Sequence, residues 1–168
     1  MSLLKRPLDL SEKVLGVLCV AAFATMFVLG IATVVFRFLL ESSLAFPDEL
    51  IRYLFVWMIL LGSAVAFRRN MHAAIGMFVD LVPRPLQRAA LLGATAASIA
   101  FFLVLLVYGF SLTRVVQPQI SPALEVSMSW VYAAIPAGAL FLLIYALEFL
   151  AKLLVRPVED VLAEGGQG

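Results

Sequence analysis

The chain has 168 residues, of which 64% are hydrophobic and 14% charged, with a mean hydropathy of +1.07 and a formal net charge of +1. Soluble domains are about 45–50% apolar and about 25% charged, so this composition excludes an ordinary soluble globule and indicates an integral membrane protein. The near-neutral balance, with no basic patch interleaved with aromatics, gives nucleic acid nothing to bind.

Four long intervals lack charge: 14–36 (23 residues), 53–67 (15), 89–113 (25) and 126–147 (22). At about 1.5 Å per residue, three of them can cross a hydrocarbon core of roughly 30 Å unaided. The second reaches only about 22 Å, so helix 2 must begin near Pro47 and carry Asp48, Glu49 and Arg52 with it. The expected fold is an all-α membrane protein in one domain, 1–155, with spans at about 14–37, 48–67, 88–113 and 126–148. A short acidic, glycine-rich tail, 156–168, follows.

Lys5, Arg6 and Lys13 precede the first apolar run. That run is longer than the about 7–15 residues of a signal-peptide core, so it reads as an uncleaved signal anchor. Cys19 is the single cysteine, without a disulfide partner, and is expected to pack as a small hydrophobe.

Helix 2 lies within "DELIRYLFVWMILLGSAVAFRRNMH", 48–72. Glu49 and Arg52, three residues apart, share a face. Two readings of them stand. Arg52 is an interfacial anchor, snorkelling beside Tyr53 and Trp57, or it makes an ion pair or lipid-headgroup contact at a subunit seam. At the other boundary, Arg68 and Arg69 serve topology or bind anionic headgroups. His72, just beyond, suits the negative end of the helix dipole in its protonated form.

Between 68 and 88, Ile75, Phe78, Val79, Val82 and Leu86 fall at steps of 3, 4, 7 and 11, with Asp80, Arg84, Gln87 and Arg88 opposite them. This pattern predicts a short amphipathic interfacial helix between helices 2 and 3, with Arg84 and Arg88 at the headgroup level. Pro83 and Pro85 break it and launch helix 3.

Small residues recur at four-residue spacing: Gly62 and Ala66, Gly93 and Ala97, Ala96 and Ala100, Ala133 and Ala137, Ala134 and Gly138. Such spacing lets helices approach closely in lipid. In helix 4, Pro136 beside Gly138 is the one candidate interruption and reads as a structural kink.

Nine of the twelve lysines and arginines fall before helix 1, between helices 2 and 3, or after helix 4; Arg37, Arg52 and Arg114 fall on the other side. The positive-inside rule then places both termini and the middle loop in the cytoplasm.

Chemistry is sparse. The centres of all four spans carry no charge, whereas a transporter acting alone shows ionisable groups or broken helices near the midplane. The one histidine cannot supply two axial haem ligands, and the one cysteine cannot supply a redox pair. No nucleophile triad, metal cluster or phosphate loop is visible. Helix 1 has no acid between Glu12 and Glu41, which removes a compact proton-coupled drug exporter. The residues therefore suggest no enzyme, and no cofactor or metal.

The run Glu49, Arg52, Phe55, Val56, Trp57, Gly62, Ala66, Phe67, Arg68, Arg69 and His72 resembles the helix 2 signature of the small, DctQ-type membrane subunit of tripartite ATP-independent periplasmic (TRAP) transporters. A second stretch, "SPALEVSMSWVYAAIPAG" (121–138), is similar to the start of helix 4 in that family, with Pro122, Trp130, Tyr132, Pro136 and Gly138 in place. One departure is visible: after His72 the chain runs Ala73, Ala74, Ile75, Gly76, where the family commonly has an acid as the fourth residue.

The resemblance implies a non-catalytic scaffold for a large DctM-type membrane subunit, bound one to one, that carries the substrate and sodium sites and moves as an elevator. A periplasmic binding protein captures the substrate, typically an organic acid. It further implies a bacterial inner-membrane location, phospholipid at the seam, and partner or lipid contacts among Glu49, Arg52, Trp57, Gly62, Ala66, Trp130, Tyr132, Pro136 and Gly138. The alternative reading is a stand-alone small homo-oligomeric transporter or channel.

Overall fold

The computed structural model describes the backbone of residues 2–39, 46–79 and 84–155, with side chains for 6–39, 46–69 and 86–155. The helices are α1 (Ser2–Leu39), α2 (Phe46–Val79), α3 (Arg84–Val115), the single turn α4 (Ser129–Tyr132) and α5 (Ala134–Val155). Four stretches are long and apolar enough to cross a membrane: Arg6–Leu39, Phe46–Arg69, Leu86–Val115 and Ser129–Val155.

The helices outrun the charge-free intervals for local reasons. α1 starts well ahead of residue 14 because its early turns carry Asp9 and Glu12, which have partners on α2. α2 runs on to Val79 without a break. After Pro47 the next proline is Pro83, so nothing removes a backbone donor until the end of this stretch. The separate interfacial helix expected here is thus continuous with α2: Ile75, Phe78 and Val79 stand on its last turns, and Val82 lies outside the described residues. α3 has Pro85 as its second residue, a position where the missing N–H costs little.

The fourth span begins later than residue 126 and in two pieces. Pro136 cannot donate to the carbonyl of Tyr132, the helix opens at Ala133, and regular bonding resumes with Ala137 N–H to Ala133 O at 3.1 Å. The interruption expected at Pro136 is present one turn before it.

α1 packs on α2, α2 on α5, and α5 on α3, with little direct contact between α2 and α3. The lateral order is therefore α1–α2–α5–α3. α5 is the central helix and buries Ala134, Pro136, Gly138, Leu142, Tyr145 and Leu153 among others. Leu15, Leu61, Ala64, Phe102, Leu142, Tyr145 and Ala146 form the core cluster, with Phe67 edge-on to Phe102 at 5.2 Å between ring centroids. The outer faces of α1 (Val17, Phe23, Phe27) and α3 (Phe101, Val104, Val107) stay exposed, as suits helices facing lipid or another membrane helix.

Close approach is concentrated where α5 meets its neighbours. A Cβ at Gly138 would lie 2.9 Å from Leu60 Cβ and 3.1 Å from Leu60 O, and one at Gly109 would lie 2.9 Å from Ile135 Cγ2. Gly62 faces Cys19 Sγ at an ordinary 3.8 Å, and Gly93 has nothing within 4 Å. Ala66, Gly93, Ala96, Ala97 and Ala100 are exposed. The small-residue spacing on α3 therefore serves no contact within the described part of the chain.

Candidate functional site

Polar side chains gather at the two ends of the bundle. One end holds the start of α1, Arg68 and Arg69 of α2, and the end of α5. The other holds Glu49 and the connection between α3 and α4.

At the first end Arg68, with its side chain 11% exposed, bonds Asp9 Oδ1 at 2.6 Å, Glu12 Oε2 at 2.7 Å and Glu148 Oε2 at 3.1 Å. It also donates to Leu8 O at 2.9 Å and lies 5.2 Å from the ring centroid of buried Tyr145, within cation–π range. Tyr145 in turn shares a hydrogen bond of 3.0 Å with Ser11. Arg69 pairs with Glu12 at 2.6 Å, and Lys152 with Glu148 at 3.0 Å. Three acids and three bases thus tie α1, α2 and α5 into one neutral clasp. A planar guanidinium, with its fork of donors, is the group able to serve three carboxylates at once.

Their position in the sequence, at the end of the second apolar run, suits Arg68 and Arg69 to the membrane boundary or to headgroups. Arg68 is engaged inside the protein, while Arg69 is paired but open to its surroundings, its side chain 64% exposed. Arg88 is exposed and reaches the last carbonyls of α5, Leu153 O at 3.4 Å and Leu154 O at 3.5 Å, where a cation meets the negative end of the helix. His72 and Arg84 sit on helical backbone, with side chains outside the described set. Asp9, Ser11, Glu12, Tyr145, Glu148 and Lys152 went unnoticed in the sequence. The available signal was Glu148 four residues before Lys152 on an otherwise apolar helix.

At the opposite end, 119–128 forms a tight hairpin. Met128 N–H bonds Gln119 O at 2.8 Å, Ser121 N–H bonds Val126 O at 2.9 Å, and Glu125 takes a left-handed φ of 53°. The turn after Ser121 leaves the N–H groups of Ala123 and Leu124 without partners of its own. Glu49 Oε2 accepts both, each at 2.9 Å, and the Tyr53 hydroxyl donates to Oε1. Glu49 is 4% exposed and acts on the hairpin as a capping carboxylate acts on a helix N-terminus. Two turns further along α2 from Glu49, Trp57 Nε1 donates to Trp130 O at 3.0 Å.

Glu49 therefore binds the hairpin rather than Arg52. Arg52 is exposed and takes part in none of the ion pairs among the described residues. Trp130 is 72% exposed, Tyr132 is half-buried and lines, with Arg52, a groove between α2 and the hairpin, and Pro136 and Gly138 are buried against α3 and α2. No group of three or more potential metal ligands occurs among the described residues.

The arrangement fixes helices to one another at both ends and leaves the middle of the bundle without an ionised group, a pattern to which comparison with known proteins adds a family. The family model described as tripartite ATP-independent periplasmic transporters, DctQ component, matches residues 26–156. The chain is 26% identical over 154 residues to the sialic acid TRAP transporter small permease protein SiaQ of Vibrio cholerae, covering 92% of this chain and 87% of that one. It is 28% identical over 82 residues to the C4-dicarboxylate TRAP transporter small permease protein DctQ of the same organism, covering 49% and 35%. The protein of that description from Rhodobacter capsulatus is 32% identical over 99 residues, covering 58% and 44%. The chain thus spans less than half the length of these two C4-dicarboxylate relatives, and most of the length of the sialic acid one. With four membrane-length helices and a family match over most of its length, the chain belongs to the DctQ component family of the tripartite ATP-independent periplasmic transporters.

Proposed function

We propose that the chain is the non-catalytic small subunit of a sodium-coupled, binding-protein-dependent transporter for an organic acid, in the bacterial inner membrane. It is a scaffold for a large DctM-type subunit, bound one to one, in which the substrate and sodium sites reside. The observation that carries this reading is the placement of charge. Every ion pair among the described residues lies at the clasp end, and the span centres, where coupling groups belong, are uncharged. The exposed apolar faces of α1 and α3 give a large partner two sides to cover. Relatives named for sialic acid and C4-dicarboxylates support a carboxylate as the transported species. The clasp end, with both chain termini, faces the cytoplasm by its excess of lysine and arginine, and the hairpin faces the periplasmic binding protein.

The test is a tagged pull-down from native membranes in mild detergent, with mass spectrometry of stoichiometric partners. One many-helix membrane protein recovered in equal amount is the expected result. Recovery of this chain alone as a defined oligomer would replace the scaffold with a stand-alone transporter.

A further inference from the structure

The hairpin 119–128 is knit within itself and joined lightly to α2. Inside it, Met128 N–H bonds Gln119 O, Ser121 N–H bonds Val126 O, and Glu125 N–H bonds Ser121 O at 3.2 Å. Among the described residues, the hydrogen bonds that hold its tip come from one side chain, the Glu49 carboxylate that accepts the N–H groups of Ala123 and Leu124. Nearer the base, the Tyr53 hydroxyl reaches Met128 Sδ at 3.3 Å, and a thioether is a weak acceptor. Packing adds little beneath the hairpin. A groove of about 550 Å³ separates Gln119, Ile120 and Pro122 from Arg52 and Val56 of α2, and Ile120 is 68% exposed.

The seated position also carries an unmet polar group. Ser121 is 2% exposed, and its Oγ stands beside Glu49 and Tyr53 without a hydrogen bond of ordinary geometry to either. A buried hydroxyl in that state has lost its water without gaining a bond, and the open groove leaves the wall above it short of contacts. Both costs end when the hairpin leaves α2, because water then reaches the hydroxyl. We infer that the hairpin is a strap, latched at its tip by Glu49 and poised to lift from α2 as a unit. Lifting breaks the two bonds to Glu49 and keeps the bonds inside the hairpin. It uncovers the Glu49 carboxylate and widens the groove that Arg52 borders. Segments with few buried contacts and one point of attachment are the ones that open at low free energy. The device is complete within this chain and does not rest on the transporter reading.

The experiment is hydrogen–deuterium exchange of the full chain in nanodiscs, read at single residues. In wild type the amides of Ala123 and Leu124, bonded to Glu49, are expected to exchange about tenfold faster than those of Ser121 and Met128, bonded within the hairpin. Ser121→Ala removes the unmet hydroxyl and should slow exchange at Ala123 and Leu124 about tenfold. Ser111→Ala, at an exposed position on α3, should leave it unchanged. Glu49→Asp, which shortens the latch and keeps its charge, should speed exchange at Ala123 and Leu124 while Ser121 and Met128 stay protected, and it carries the test if Ser121→Ala fails to fold. Equal exchange at all four wild-type amides would mean that the hairpin unfolds in place. Exchange at Ala123 and Leu124 in Ser121→Ala as fast as in wild type, or faster, would mean that the hydroxyl helps to hold the strap. Either result overturns the inference, as does unchanged exchange in Glu49→Asp.

Discussion

Arg68 serves three acids from two other helices, so its removal strands Asp9, Glu12 and Glu148 together, although Arg69 and Lys152 still neutralise part of that charge. Breaking a buried pair typically costs about 3–5 kcal/mol; with Asp9 open to solvent, its side chain 59% exposed, and screened accordingly, Arg68→Ala is expected to cost about 2–3 kcal/mol. Thermal melting in detergent would show it, and an unchanged midpoint would mean that the clasp contributes nothing. Glu49 is tested differently, because its partners are backbone N–H groups in one hairpin. Glu49→Ala should speed proteolytic cleavage within 119–128 more than Tyr53→Phe does, since alanine removes the acceptor of both hairpin N–H groups and phenylalanine only one of the three donors to the carboxylate. Equal cleavage of wild type and Glu49→Ala would sink the capping role. Both roles were half legible in the sequence: the charges at the mouths of helix 2 were visible, but their partners are 56 to 80 residues away along the chain.

Helix existence could be read from apolar length alone, whereas helix ends could not. α1 and α2 extend past their charge-free cores because paired acids make the early turns of α1 worth keeping and no proline stops α2. The small residues divide by geometry rather than spacing. Gly138→Val is expected to cost about 1–3 kcal/mol by overpacking against Leu60, whereas Gly62→Ala, whose Cβ would meet Cys19 Sγ at 3.8 Å, should be tolerated. Gly93→Ala, in open space, should stabilise α3 by up to about 1 kcal/mol. A ranking of the three melting temperatures checks all three, and Gly138→Val melting at or above Gly93→Ala would contradict the packing.

The order α1–α2–α5–α3 has its own test in crosslinking. Cys19 is native, so Gly62→Cys supplies a partner across the α1–α2 contact and should form an oxidant-induced crosslink. Val104→Cys, on the outer face of α3, should not crosslink with Cys19. A Cys19 crosslink to position 104 within one chain would require a different order. Orientation is checked in a Cys19→Ser background: Glu125→Cys in the hairpin is expected to react with an impermeant maleimide from outside intact cells, and Asp9→Cys is not. The opposite labelling would invert the topology.

Composition and local spacing suffice for the class of molecule: an apolar chain with four runs long enough to cross a bilayer, charges confined to their ends, and two motifs that resemble one family. Those properties depend on composition and on spacing along one helix, which a linear string contains. Tertiary structure alone decided which charge meets which. It engaged Arg68 within the protein, gave Glu49 to the hairpin and left Arg52 over a groove. It also showed which glycines are pressed against a neighbour. Long-range pairing depends on the rotation and depth of each helix relative to the next, and local pattern carries neither.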